Sequence, residues 1–192
     1  MQKYLIAGLG NIGEEYAGTR HNIGFDLADA LVSKHQGAYA AARHATFARL
    51  EWRGKLLFVI KPTTFMNLSG KAVKYWMDQE RVATDHVLVL VDELALPLSR
   101  VRLRPSGSAA GHNGLSSIVE SLGTDAFPRL RFGIGNDFPR GKQVDFVLGK
   151  WRPEESPLVQ LKIEKCVTLI ESFVIHGINR TMNDWNKVEF KL

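Results

Sequence analysis

The sequence predicts an α/β fold: a single domain, residues 1–192, built on a mixed, twisted β-sheet with helices packed on both faces. Three observations lead there. Apolar runs of strand length alternate with amphipathic runs of helical period along the whole chain. The 192 residues, 45% hydrophobic and 23% charged, suit one core that buries roughly 70% of the unfolded surface. Finally, Thr46 to Trp52 and Lys55 to Lys61 are separated only by Arg53-Gly54, the spacing of a hairpin.

In order, Tyr4 to Leu9 is an apolar first strand, and Asn22 to Gln36, closed by Gly37, is a first helix. The hairpin follows. Ser69 is the expected cap of a helix through Ala72 to Met77. His86 to Asp92, with Val-Leu-Val-Leu-Val inside it, is the clearest central strand, and Arg100 to Arg104 is a polar strand nearer an edge. A Gly/Ser/Ala loop, Ser106 to Gly111, precedes a helix from Asn113 to Leu122. Leu130 to Ile134 and Val144 to Leu148 read as short strands. Pro153 to His176 and Ile178 to Asn186 read as closing helices.

Composition excludes several classes. No apolar stretch approaches the roughly 20 residues that span a bilayer, and Met1-Gln2-Lys3 runs directly into a strand without the anatomy of a signal peptide. Cys166 is the only cysteine, on the apolar face of a helix, which excludes a cysteine metal cluster and an intrachain disulfide. These features predict a cytoplasmic protein with no membrane partner. The net charge is +5, and residues 100–152 alone carry nine Lys or Arg against four acids. Alternation puts Arg100, Arg102 and Arg104 on one strand face, and Arg129 and Arg131 repeat the pattern. A solvated basic face is the plain reading. Alternating arginine on two strands favours contact with a polyanion instead, held by its phosphates because no base-reading motif is present.

Four segments could carry chemistry. Lys61 to Gly70, KPTTFMNLSG, joins a strand to a helix yet places Phe65 and Met66 beside Asn67. Either these are core residues and a helix cap, or they are the wall of a binding site. Gly8-Leu9-Gly10-Asn11-Ile12-Gly13 matches the dinucleotide fingerprint, but Glu14-Glu15 and a polar loop follow where a helix should begin. His21 stands just before the first helix, on the loop that also carries Asn11 and Tyr16. A helix N-terminus favours the neutral imidazole that a general base requires. Capping by His21 or Asn22 is the plainer alternative. Asp92 ends the most buried strand, where a carboxylate can orient an imidazole. His112-Asn113 begins a later helix. The amides Asn11, Asn67 and Asn113 both donate and accept, which suits a peptide group or a developing oxyanion. There is no nucleophile elbow, phosphate-binding loop or zinc-protease motif, so water activated by a base is the simplest nucleophile.

Taken together, AGLGNIGEEYAGTRHNIG (7–24), KPTTFMNLSG (61–70), VDEL (91–94), GHNGL (111–115), RLRFGIG (129–135) and FVLGK (146–150) resemble the bacterial-type peptidyl-tRNA hydrolase family. The resemblance implies a monomeric hydrolase without metal, cofactor or obligate protein partner, acting on the ester between a peptide and the 3′-terminal ribose of tRNA. It implies His21 as catalytic base and Asp92 as its supporting carboxylate. It also implies Asn11 as the sensor of an acylated amine. Tyr16, Phe65, Met66, Asn67, His112 and Asn113 would contact the CCA end or its peptide, and Arg104 and Arg131 acceptor-stem phosphates. The sequence departs from the family pattern at Ile12, where proline is usual, at Ala95, where a second aspartate is common, and at Ser108-Ala109-Ala110, bulkier than the Gly-rich version.

Overall fold

The computed structural model describes residues 1–192. Seven strands form one mixed sheet: β1 (Gln2–Gly8), β2 (Ala40–Ala42), β3 (Ala45–Trp52), β4 (Lys55–Pro62), β5 (Val87–Glu93), β6 (Val101–Arg104) and β7 (Arg129–Gly133). Their spatial order is β2-β3-β4-β1-β5-β7-β6. The four inner strands β4, β1, β5 and β7 run parallel, and β2, β3 and β6 are antiparallel additions at the two edges. Six helices connect or close the chain: α1 (Ile23–Lys34), α2 (Ser69–Gln79), α3 (Asn113–Leu122), α4 (Gln143–Val147), α5 (Ser156–His176) and α6 (Ile178–Trp185).

The alternation of β5 makes two cores. Leu88 and Leu90 face one layer, with α1 and α5, through Leu27, Leu31, Cys166 and Ile170. Val87, Val89 and Val91 face the other, with α2 and α3, through Val73, Trp76, Leu115 and Ile118. Both faces of the inner strands are therefore covered, as parallel sheets require. The expected hairpin, central strand and edge position of the arginine strand are all present.

Several local expectations are corrected. Residues 144–148 are not a strand. The segment is helical, with Phe146 N–H donating to Lys142 O and Leu148 N–H to Val144 O. Only Phe146 turns inward, while Val144 remains 67% exposed; five residues, four of them apolar, cannot separate a period of 2 from one of 3.6. Ser69 does not cap α2; its hydroxyl donates to Met66 O at 2.7 Å. At the end of α1 the left-handed residue is Gln36, not Gly37. Gly37 is needed for space, since a Cβ there would lie 2.5 Å from Leu50 Cδ2. β2, three exposed alanines, carries no periodic signal.

The arginines of β7 are also corrected. Arg129 is fully buried and donates to the carbonyls of Phe127, Gly107 and Asp125. Arg131 is buried, paired with Glu93 at 3.0 Å and donating to Ser108 O at 2.7 Å. Alternation reported their face, but that face is covered by the 106–111 loop. The open arginines are Arg102 and Arg104 on β6.

Candidate active site

The loops that leave the carboxyl ends of β1, β4 and β5 converge at one end of the sheet. Their approach depends on missing side chains. A Cβ on Gly24 would lie 2.5 Å from Leu9 N and from Leu90 O, and one on Gly8 would lie 2.2 Å from Gly24 O. The start of α1 thus rests directly on β1 and β5, and the residues before it, Arg20–Asn22, form a 3-10 turn over the end of the sheet. Arg20 fastens that turn from below, donating to Phe146 O at 3.1 Å, pairing with Glu155 at 3.0 Å and lying 4.1 Å over the Phe146 ring.

His21 then meets Asp92 across 71 positions of sequence. Its Nδ1 lies 3.0 and 2.9 Å from the two carboxylate oxygens. His112 reaches the same group, with Nε2 2.8 Å from Asp92 Oδ1. The protonation of both rings follows from their partners. The Nδ1 of His112 accepts from the Gly114 and Leu115 N–H groups at 3.1 and 3.3 Å, so it bears the lone pair and Nε2 bears the proton given to Asp92. With Asp92 ionised, His21 donates through Nδ1–H and keeps its own lone pair on Nε2. Burial alone would raise the Asp92 carboxyl. The pull of His112 and then of His21, which both donate to it, outweighs burial and holds it at about 2. An ionised carboxylate between two imidazoles is the chemistry of a base and its orienting acid.

Asn11 is set by its neighbours. Its backbone N–H donates to Asn22 Oδ1 and its carbonyl accepts from Asn22 Nδ2, both at 2.9 Å. Its side-chain Oδ1 accepts from Met66 N–H at 2.8 Å, which leaves Nδ2 as the free donor. Asn22 was legible only as a cap, yet it caps nothing and instead orients Asn11. Met66 is corrected: it is buried beneath the turn Met66–Leu68, where a Cβ on Gly114 would lie 2.7 Å from its Sδ. Through that contact the turn carrying Asn67 lies against the start of α3, where Asn113 is the first helical residue. Both amides are exposed. Phe65 is exposed at 57%, beside Met66, and Tyr16 is half-buried on the 3-10 turn Glu14–Tyr16. Only the single 3-10 turn Glu14–Tyr16 follows the glycine run of 8–13 directly; the first α-helix, α1, begins at Ile23. Arg104 is exposed on edge strand β6.

One cluster has the donors for a metal ion. Ligand atoms of His21, Asp92 and His112 lie within 4.8 Å of one another. The Nε2 of His112 carries its proton there, because the two N–H groups of α3 occupy Nδ1. A cation would have to displace that proton and break the arrangement.

In this mixed α/β sheet an imidazole, its carboxylate and nearby carboxamides gather beyond the strand ends, where ligands bind in such folds, and their donor set is compatible with a hydrolase. The peptidyl-tRNA hydrolase family model matches residues 5–192. The chain is 51% identical over 184 residues to the peptidyl-tRNA hydrolase of Parabacteroides distasonis, covering 96% of this chain and 98% of that protein. It is equally similar to that of Porphyromonas gingivalis, covering all of its length. The crystal structure of peptidyl-tRNA hydrolase from Acinetobacter baumannii superposes with a TM-score of 0.90 at 33% identity, over 97% of this chain and 95% of that one. The chain belongs to the peptidyl-tRNA hydrolase family and is an ester hydrolase of that class.

Proposed function

We propose that the protein cleaves the ester joining a peptide to the 3′-terminal ribose of tRNA, using water activated by His21, without metal, cofactor or covalent intermediate. The observation that carries this reading is Asp92, ionised and engaged by two imidazoles, one of which keeps a free Nε2. In the proposed reaction His21 Nε2 takes a proton from water as its oxygen attacks the ester carbonyl. The imidazolium formed is favoured by Asp92. Asn67 or Asn113 donates to the oxyanion. The tetrahedral species then collapses, the ribose oxygen leaves and takes the proton back from His21, and a free peptide acid and tRNA result.

Asn11 supplies selectivity. With Oδ1 occupied by Met66 N–H, it presents only a donor. That donor matches the carbonyl oxygen of an N-acylated amino group and finds no partner in the ammonium of a free-amine ester. Phe65 offers an exposed ring for a base of the CCA end, with Tyr16 at the rim of the cleft. Arg104 contacts an acceptor-stem phosphate. Arg131, closed off by Glu93 and Ser108, instead supports the loop before His112. No helix is long and apolar enough to cross a membrane, and we place the protein in the cytoplasm, acting as a monomer without an obligate partner.

The test is hydrolysis of an N-acetyl-aminoacyl-tRNA and of its free-amine counterpart, in the presence of a chelator, by wild type and by His21→Ala. The wild type should cleave the acylated substrate selectively, and the variant should lose at least about a hundredfold in turnover while still binding tRNA. Near-normal turnover by the variant would remove His21 from its role, and loss on chelation would remove the metal-free reading.

A further inference from the structure

Behind Asn11 lies a second cleft of about 290 Å³, between the loop of residues 11–18, the outer face of α1 and the ends of β3 and β4. Two carboxylates line it from α1, Asp26 and Asp29, and one lysine from β4, Lys61. The lysine is already committed: its Nζ lies 2.7 Å from Asp29 Oδ1 and 4.5 Å over the Tyr39 ring. Asp26 forms neither an ion pair nor a hydrogen bond with the protein, although it is half-buried. Burial, then the charge of Asp29, with Lys61 opposing, lifts its carboxyl to about 6. At neutral pH it is therefore mostly ionised and poorly solvated, a state that a cation would relieve.

We propose that this cleft is a subsite for a cationic side chain, lysine or arginine, on the peptide residue whose carbonyl Asn11 holds, with Asp26 as counter-ion. The inference rests on the reading of the site as one for peptidyl esters. Position supports it, because Asn11 lines this cleft together with Asp26 while its side chain is held toward Met66 by the Met66 N–H, so a side chain next to the carbonyl it binds has this cleft within reach. Charge supports it too: two acids against one paired lysine leave one negative charge over. The apolar walls from Phe25 and Pro62 suit the methylene stem of such a side chain.

The experiment compares kcat/KM for three dipeptidyl-tRNAs that differ only in the residue before the esterified one: N-acetyl-Lys-Phe-tRNA, N-acetyl-norleucine-Phe-tRNA and N-acetyl-Glu-Phe-tRNA. Wild type should prefer the lysine substrate to norleucine by about tenfold, the size of one charge-assisted contact, and should disfavour glutamate. Asp26→Asn should bring the lysine advantage to about twofold or less, with the norleucine substrate unchanged. Lys61→Gln, which releases Asp29, should widen the advantage. Equal rates on all three substrates in wild type, or a lysine advantage that survives Asp26→Asn, would overturn the subsite. Hydrolysis of none of them would instead overturn the peptidyl-ester reading, and the subsite with it.

Discussion

Replacing Asp92 by asparagine separates the role of its charge from that of its shape. In the protein, His21 and His112 both donate to this carboxylate, His112 to Oδ1 and His21 to both oxygens. A carboxamide keeps one acceptor and adds an N–H pair. Since His112 can only donate, the amide oxygen must remain with it, and the NH2 group then faces His21 Nδ1. His21 answers by taking the opposite tautomer, with its proton on Nε2, where the lone pair is required. The base is present and misprotonated. Reversal of this kind should reduce turnover by about 10²–10⁴-fold. A stability change accompanies it. The Asp92 carboxyl is held at about 2 instead of 3.8, which corresponds to about 2 kcal/mol in favour of the folded state. Because the folded value is depressed, this stabilisation is complete above about pH 4 and is lost as pH falls through about 2. Asparagine resembles the neutral acid, so Asp92→Asn should melt about 4–8 °C lower at pH 7 and converge with wild type near pH 2. Single-turnover hydrolysis of N-acetyl-aminoacyl-tRNA, with tRNA affinity measured in parallel, tests the first part, and thermal melts across pH the second. A variant within about tenfold of wild-type turnover, with tRNA affinity intact, would refute the tautomer argument.

Asn11→Asp should keep the bond from Met66 N–H and replace the free donor by an acceptor, so discrimination against free-amine esters falls or reverses. Rates on paired acylated and free-amine substrates measure this, and unchanged selectivity would exclude Asn11 from the role. Lys162 is fully buried, donating to Leu98 O and Gly133 O, and burial lowers its pKa to about 7 from 10.5. Between those values the unfolded chain binds the extra proton, so the group makes stability rise with pH, by about 1 kcal/mol per unit. Lys162→Met should flatten the denaturant midpoint between pH 7 and 10, and an undiminished slope in the variant would refute this.

Much of the architecture was legible because burial writes itself into pattern. β5 reads as central since both of its faces are covered, and β6 reads as an edge since every second residue is arginine. The same alternation misled at β7, where Arg129 and Arg131 look identical to surface arginines until the 106–111 loop supplies carbonyls to cover them. Short segments failed for a different reason: five residues at 144–148 do not define a period. In the site, His21, Asp92 and the three amides were each conspicuous locally, but nothing in their spacing joins positions 21, 92 and 112. Family resemblance joined His21 to Asp92 but set His112 among the substrate contacts; that its Nε2 also reaches Asp92 shows only in the folded chain. Asn22 and Arg20 went unrecognised because their work is to hold neighbours, which composition does not reveal.

The ring of His112 has two obligations at once. One edge seats the first turn of α3 by accepting its N–H groups, and the other clasps Asp92. In the proposed mechanism, fraying of that turn would therefore loosen the carboxylate that orients the base. A weakened α3 would announce itself as vanished chemistry well before any loss of helix became measurable.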